Sequence, residues 1–122
     1  PLAERRRERG VDTFEELARK VHELKLPTWK NPKHADHWIN TLRTYVFPKL
    51  GDRRVSDISK SDVLSVLEPI WTPKHQAASG VRQRMDEVFN RAIAEDWRHD
   101  NPAEAVKATL PGWRSGQGRA SA

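Results

Sequence analysis

The sequence predicts a small all-α bundle of four helices, and three observations predict it. Apolar residues recur at helical spacing in four separate stretches. A side chain able to cap a helix stands directly before each stretch. And 122 residues without cysteine make one domain with a single core and no disulfide to staple it.

Thr13 and Glu16 have the spacing of a capping box, and Phe14, Leu17, Ala18, Val21 and Leu24 follow at steps of three and four. They predict a first helix over about Phe14–Lys25, stopped by Pro27. Asn31-Pro32 pairs a capping side chain with proline at the first helical position. Ala35, Trp38, Ile39, Leu42, Tyr45 and Val46 then form an apolar stripe, so a second helix is expected over about Pro32–Val46, ended by Pro48 and Gly51. Arg53–Ile58 reads as extended but is too short to count as a strand. Ser59 with Asp62 repeats the capping box, and Val63, Leu64, Leu67 and Ile70 give a third helix over about Lys60–Trp71, with Pro69 a candidate break. Thr72-Pro73 starts a fourth helix, about Pro73–Glu95, whose stripe runs Ala77, Ala78, Val81, Met85, Val88, Phe89, Ala92 and Ile93. Asn101-Pro102 marks a brief further turn.

Residues 1–12, charged and aperiodic, are expected to form a flexible arm. Residues 111–122, rich in Gly, Ser, Ala and Arg, are expected to be a disordered tail or linker, which leaves 13–110 as the helical domain. The chain opens on Pro1 rather than methionine, as a processed product or an excised piece would. No internal repeat is present.

Hydrophobic residues make up 36% and charged residues 32%, a polar but globular balance. No apolar run nears the ~20 residues of a membrane span, and the amino end lacks a signal-peptide apolar region. The absence of cysteine excludes thiol catalysis and cysteine-ligated metal, and suits a cytoplasmic location.

The net charge of +5 is unevenly spread. Residues 25–54 carry +5 and residues 72–84 carry +3, while the rest of 11–110 sums to −7. Two basic segments on an otherwise acidic body have the pattern of an electrostatic footprint.

Enzyme chemistry finds little to work with. His34 and His37 lack a third ligand in evident spacing, so no metal is expected, nor any other cofactor. The six glycines are scattered and make no phosphate loop. The pairs Glu15-Glu16 and Asp86-Glu87 are adjacent, and adjacent helical residues do not converge. Tyr45 falls in an apolar stripe and reads as a core aromatic.

The polar faces are more informative. On the second helix Lys33, His37, Asn40 and Thr44 share one row opposite Trp38 and Leu42. Lys30, Asn31 and His34 stand at its amino end, where backbone N–H groups and the helix dipole favour a phosphate. On the fourth helix Gln76, Ser79 and Gln83 lie opposite the stripe, flanked by His75, Arg82 and Arg84, with no acid before Asp86. Solvated faces usually mix Glu with Lys. Two faces of Lys, Arg, His, Asn, Gln, Ser and Thr offer the donors that phosphates and base edges require. Trp29 and Trp71 precede the faces and read as bundle-edge packing rather than base-stacking platforms.

The run Trp29-Lys30-Asn31-Pro32-Lys33-His34, then Trp38, Thr41-Leu42, Tyr45, Pro48, Leu50-Gly51, Val55 and Ile58, resembles the core-binding domain of phage-type tyrosine recombinases, the integrases of prophages and genomic islands. The likeness continues through Leu67, Pro69-Ile70-Trp71, Lys74, Ala77-Ala78, Val81-Arg82, Arg84, Ala92 and Asn101-Pro102-Ala103, and covers about residues 13–110. The resemblance implies a SAM-like four-helix bundle forming half of a C-shaped clamp, with its second and fourth helices in the major groove beside the cleavage site. Faces and resemblance together nominate Lys30, Asn31, Lys33, His34, His37, Asn40, Thr41, Thr44, Lys74, His75, Ser79, Arg82, Gln83 and Arg84 as DNA contacts.

In that family the catalytic Arg, Lys, His/Arg box and nucleophilic Tyr lie downstream of this region. Here only the Gly/Ser tail follows Pro111-Gly112-Trp113, and Tyr45 matches the family's core aromatic. The resemblance therefore implies a domain that binds the duplex DNA of an attachment-site core and does not cut it. Its expected partner is the catalytic domain of the same protein, and by itself it is expected to be monomeric. The competing class is a helical protein–protein or oligomerisation module, with the acidic remainder as contact surface. A stand-alone regulator or excision accessory factor is a third reading. A steep salt dependence of DNA binding separates the first class from the second.

Overall fold

The computed structural model describes residues 13–110, so the expected arm (1–12) and tail (111–122) lie outside the described residues. Helices α1 (Phe14–Lys25), α2 (Pro32–Tyr45), α3 (Phe47–Leu50), α4 (Lys60–Trp71), α5 (His75–Ala94) and α6 (Pro102–Ala105) follow in order, with single 3-10 turns at Leu26–Thr28, Val55–Asp57 and Val106–Ala108. The four longer helices are those expected, and none among the described residues is long and apolar enough to cross a membrane.

Local chemistry explains most boundaries. Thr13 Oγ1 accepts from the Glu16 N–H (3.2 Å) while Glu16 Oε1 accepts from the Thr13 N–H (3.0 Å). The remaining first-turn donors of α1 reach the 51–54 segment, Phe14 N–H to Arg53 O (2.9 Å) and Glu15 N–H to Gly51 O (3.0 Å). That segment forms only an isolated antiparallel bridge between Thr13 and Arg54. Of the carbonyls that follow it, Val55 O and Ile58 O each accept from Arg98 Nη1 at 2.8 Å. Val55–Asp57, expected to be extended, instead forms a 3-10 turn closed by Asp57 N–H to Arg54 O (2.8 Å), and the guanidinium satisfies the carbonyls at its start and just beyond it.

Pro69 does not break α4. A proline there deprives the Ser65 carbonyl of its helical donor. Lys49 Nζ replaces it at 3.0 Å, so the helix runs on to Trp71. The start of α5 differs from expectation. Thr72 is the C-cap of α4 rather than an N-cap, and Lys74 N–H bonds back to Ile70 O (2.9 Å), which holds Pro73 in the connecting turn. The other end of α5 closes with Asp96 in the left-handed region (φ 64°). Asp96 N–H reaches Ile93 O (3.0 Å) and Trp97 N–H reaches Ala92 O (2.9 Å), a Schellman closure that turns Trp97 into the core.

Helix α5 is the central element and packs against α1, α2, α4 and α6. Its stripe of Ala78, Val81, Met85, Val88, Phe89 and Ala92 is fully buried, meeting Phe14 and Leu17 of α1, Leu42 of α2 and Leu67 of α4 in one core. Phe14 and Phe89 lie 5.5 Å apart, tilted by 54°.

Asp62 gives the fold a testable acid dependence. Its carboxyl is held below the usual carboxylate range, first by the Ser59 backbone N–H, against some desolvation, and then by Arg53. A depressed carboxylate stabilises above its unfolded value, about 3.9, and that contribution disappears as pH falls through the folded value. Asp62→Asn, which keeps a capping oxygen, should be less stable than wild type at about pH 6, with the gap closing below about pH 4. Urea titrations across that range measure it; a gap that stays constant to low pH would refute the linkage.

Candidate nucleic-acid interface

Helices α2 and α5 pack side by side. Their seam is tied by Trp38, whose Nε1 donates to Glu87 Oε1 at 2.8 Å. Glu87 Oε2 also accepts from Lys25 Nζ of α1 at 2.7 Å, so one carboxylate links three helices. His22 lies against both Trp29 (5.8 Å) and Trp38 (6.0 Å), and its Nε2 is 3.0 Å from Ala35 O. Trp29 is half-buried in this cluster, and Trp71 is buried against His75 (4.7 Å). Both indoles are packing residues, as expected. Tyr45 is likewise half-buried against the core.

The polar row of α2 is exposed as the helical period requires. Lys30, Asn31, Lys33, His34, His37, Asn40 and Thr44 all face solvent; Thr41 is half-buried and its hydroxyl donates to His37 O (2.8 Å). The amino end of α2 differs in one respect. Asn31 Oδ1 accepts from the Lys33 N–H (2.9 Å), Asn31 O accepts from the His34 N–H (3.0 Å), and Pro32 has no N–H. This end therefore offers a phosphate the helix dipole and the Lys30 and Lys33 ammoniums, but not the first-turn N–H groups expected from the sequence.

The candidate residues of α5 divide. Lys74 and Gln83 are exposed; His75, Ser79 and Arg84 are half-buried. Arg82 is not on the face at all. It is 5% exposed, and Nη1 donates to Ala103 O (3.1 Å) with Asp86 Oδ1 at 3.9 Å. Its expected role as a DNA contact is corrected by this burial: the guanidinium holds α6 to α5. Gln83 and Arg84 meet Trp38, Asp86 and Glu87 in a cleft of about 380 Å³ at the α2–α5 seam.

The basic count over 25–54 also shrinks in three dimensions. Lys25 is paired with Glu87 and Arg53 with Asp62 (3.2 Å), while Lys49 keeps its charge but is held away from α2 by its bond to Ser65 O. Lys30 and Lys33 remain exposed without an ion pair among the described residues. The sequence reading omitted Arg43 from the site. It is exposed on α2 and donates to the Asn40 side chain, which leaves its charge unneutralised. Its i+3 spacing from Asn40 is the signal that could have found it. Among the described residues no group of three or more His, Asp or Glu side chains converges as a metal site would require.

The family model described as the phage integrase central domain matches residues 14–109. The integrase of Enterobacteria phage P4 is 26% identical over 102 residues, which span 83% of this chain and 23% of that relative. Prophage integrase IntZ of Escherichia coli (strain K12) is 27% identical over 122 residues, 92% of this chain and 30% of the relative. The chain thus spans roughly a quarter of the length of the curated relatives it matches. Among solved structures, the solution NMR structure of a protein from Nitrosospira multiformis is similar, with a TM-score of 0.70 and 40% identity, covering 75% of this chain and 87% of that chain.

Proposed function

Because this chain belongs to the phage integrase central-domain family, we propose that it is the core-binding domain of a site-specific tyrosine recombinase and grips duplex DNA next to the cleavage site during integration. The observation that carries this reading is the exposed face of α2, where Lys30, Lys33, His34, His37, Asn40, Arg43 and Thr44 present donors with only Asp36 as an exposed acid on the same helix. In this reading Lys30, Lys33 and Arg43 hold phosphates, and His37, Asn40 and Thr44 reach towards base edges. Lys74 and Gln83 extend the surface along α5. Strand cleavage is assigned to the remainder of the parent protein, which acts on the same attachment-site DNA. Tyr45, the chain's one tyrosine, is half-buried against the core, and in this reading it is a packing residue.

Anisotropy titration of a duplex at several salt concentrations tests the reading. About five phosphate contacts give a log–log slope of about −4 to −5 by counterion release. Lys33→Ala should weaken binding by about 1 kcal/mol or more, as for a lost charge-assisted phosphate bond. Lys20→Ala, exposed on α1, removes the same charge away from this face and should matter little. Equal losses from both would mean diffuse electrostatics and reject the assignment of α2 to the groove.

A second reading has one observation behind it. Leu24 and Leu26 are 48% and 45% exposed beside a cleft lined by Val21, Lys25, Asn90 and Arg91. An apolar edge of this kind suits a protein partner. Self-association of the chain without DNA binding, read by sedimentation, would favour that reading over the first.

A further inference from the structure

Gly80 stands inside α5, where glycine is disfavoured, and its φ is an ordinary helical one. Space, not backbone freedom, accounts for it. A Cβ at residue 80 would lie 2.7 Å from Arg84 Nη1. With glycine there, Arg84 folds back over one helical turn and Nη1 donates to Gly80 O at 2.9 Å. The guanidinium is thereby fixed at the cleft between α2 and α5, beside Trp38 and Gln83.

The acids around it are already engaged. Glu87 accepts from Lys25 and Trp38; Asp86 accepts from Asn101 Nδ2 (2.8 Å) and Asn90 Nδ2 (3.3 Å). Among the described residues Arg84 forms no ion pair, and its Nη2 has no hydrogen-bond partner. Burial holds its guanidinium below the ordinary arginine range, with the Glu87 carboxylate opposing that shift. Two consequences follow. A phosphate brought to Arg84 would also face Asp86 and Glu87, so like-charge repulsion works against it. A base edge carries acceptors without net charge and meets a smaller penalty. Partial desolvation and a fixed rotamer also mean that Arg84 has less hydration and less freedom to lose on contact than an exposed lysine.

We infer that Arg84 is a base-reading side chain of this surface, that Gly80 is its positioning residue, and that the acceptor pair it fits is the N7/O6 edge of guanine in the major groove. The inference rests on the reading that α2 and α5 face duplex DNA. It separates two tasks on one surface: the exposed cations of α2 hold the backbone, and the preset guanidinium of α5 discriminates sequence.

Selection from a pool of duplexes with a randomised centre, followed by titration of the winning duplex and its single-base-pair variants, tests it. Wild type should enrich a G·C pair at one position. Arg84→Ala should reduce the preference at that position about tenfold. Arg84→Lys should not restore it, because an ammonium lacks the planar fork. Gly80→Ala should reduce the preference while raising thermal stability, since alanine favours the helix and the displaced atom is the end of a flexible side chain. A purely structural role for Gly80 would move stability and leave base preference alone, which would overturn its positioning role. Uniform weakening by Arg84→Ala at every sequence, with a shallower salt slope, would make Arg84 a phosphate contact and overturn the base-reading role. Lys33→Ala separates the two readings: it should lower affinity for all duplexes and keep the G·C preference. Absence of any duplex binding by wild type would overturn the DNA-binding reading itself, and this inference with it.

Discussion

Trp38→Ala is expected to destabilise the domain by about 3–5 kcal/mol, the range for emptying a large aromatic site in a core. Trp38 is 5% exposed and stands where three helices converge. Its ring lies against His22 and Trp29, and its N–H is one of two donors to Glu87. Truncation opens a cavity that rigid helices fill poorly, and it leaves Glu87 with Lys25 alone. A domain of this size has only about 5–15 kcal/mol to lose, so the melting temperature should fall by roughly 15–30 °C. Trp38→Phe keeps most of the apolar volume and loses the hydrogen bond, so a smaller loss of about 1–2 kcal/mol is expected. Thermal unfolding followed by circular dichroism measures both. A Trp38→Ala loss under about 1 kcal/mol would mean that this indole does not hold α2 to α5. The relative placement of the two candidate faces would then rest on other contacts.

The same residue shows how far the sequence carries. Its burial follows from the 3.6-residue period alone, as do those of Ile39 and Leu42. The ranges Phe14–Lys25 and Lys60–Trp71 are recovered because capping boxes are local: Thr13 with Glu16 and Ser59 with Asp62 each act within one turn. Thr72-Pro73 has the look of another start, yet it sits in a turn because Lys74 bonds back to Ile70, a competing partner that the dipeptide pattern does not contain. The polar row of α2 was legible for the same reason as the stripe behind it. What was not legible is where the cations go. Lys25 finds Glu87, Lys49 finds the carbonyl that Pro69 vacates, and Arg98 finds Val55 and Ile58, all across long sequence separations. A charge count along the chain treats each of these as a free cation, and only packing supplies its partner.

Arg82 is the instructive case, because a local signal for its burial exists. Ala78, Arg82, Met85, Phe89 and Ala92 follow one another at steps of four and three, so the arginine stands in the apolar stripe rather than beside it. Its stem packs with the core while Nη1 reaches Ala103 O and Asp86. Arg82→Ala is therefore expected to act on stability first. It leaves the carbonyl of fully buried Ala103 without this donor and removes a cation from Asp86. Losing one partner of a well-buried ion pair is worth about 3–5 kcal/mol. Asp86 is partly exposed and keeps Asn101, so about 2–3 kcal/mol is expected here, with a fall in melting temperature of roughly 10–20 °C. Arg82→Met preserves the stem and should recover part of the loss, which apportions it between packing and hydrogen bonding. Duplex affinity, measured at a temperature where each variant is still folded, should change little in either. A clear drop in that affinity with an unchanged melting temperature would return Arg82 to the DNA-facing surface and contradict its place in the core.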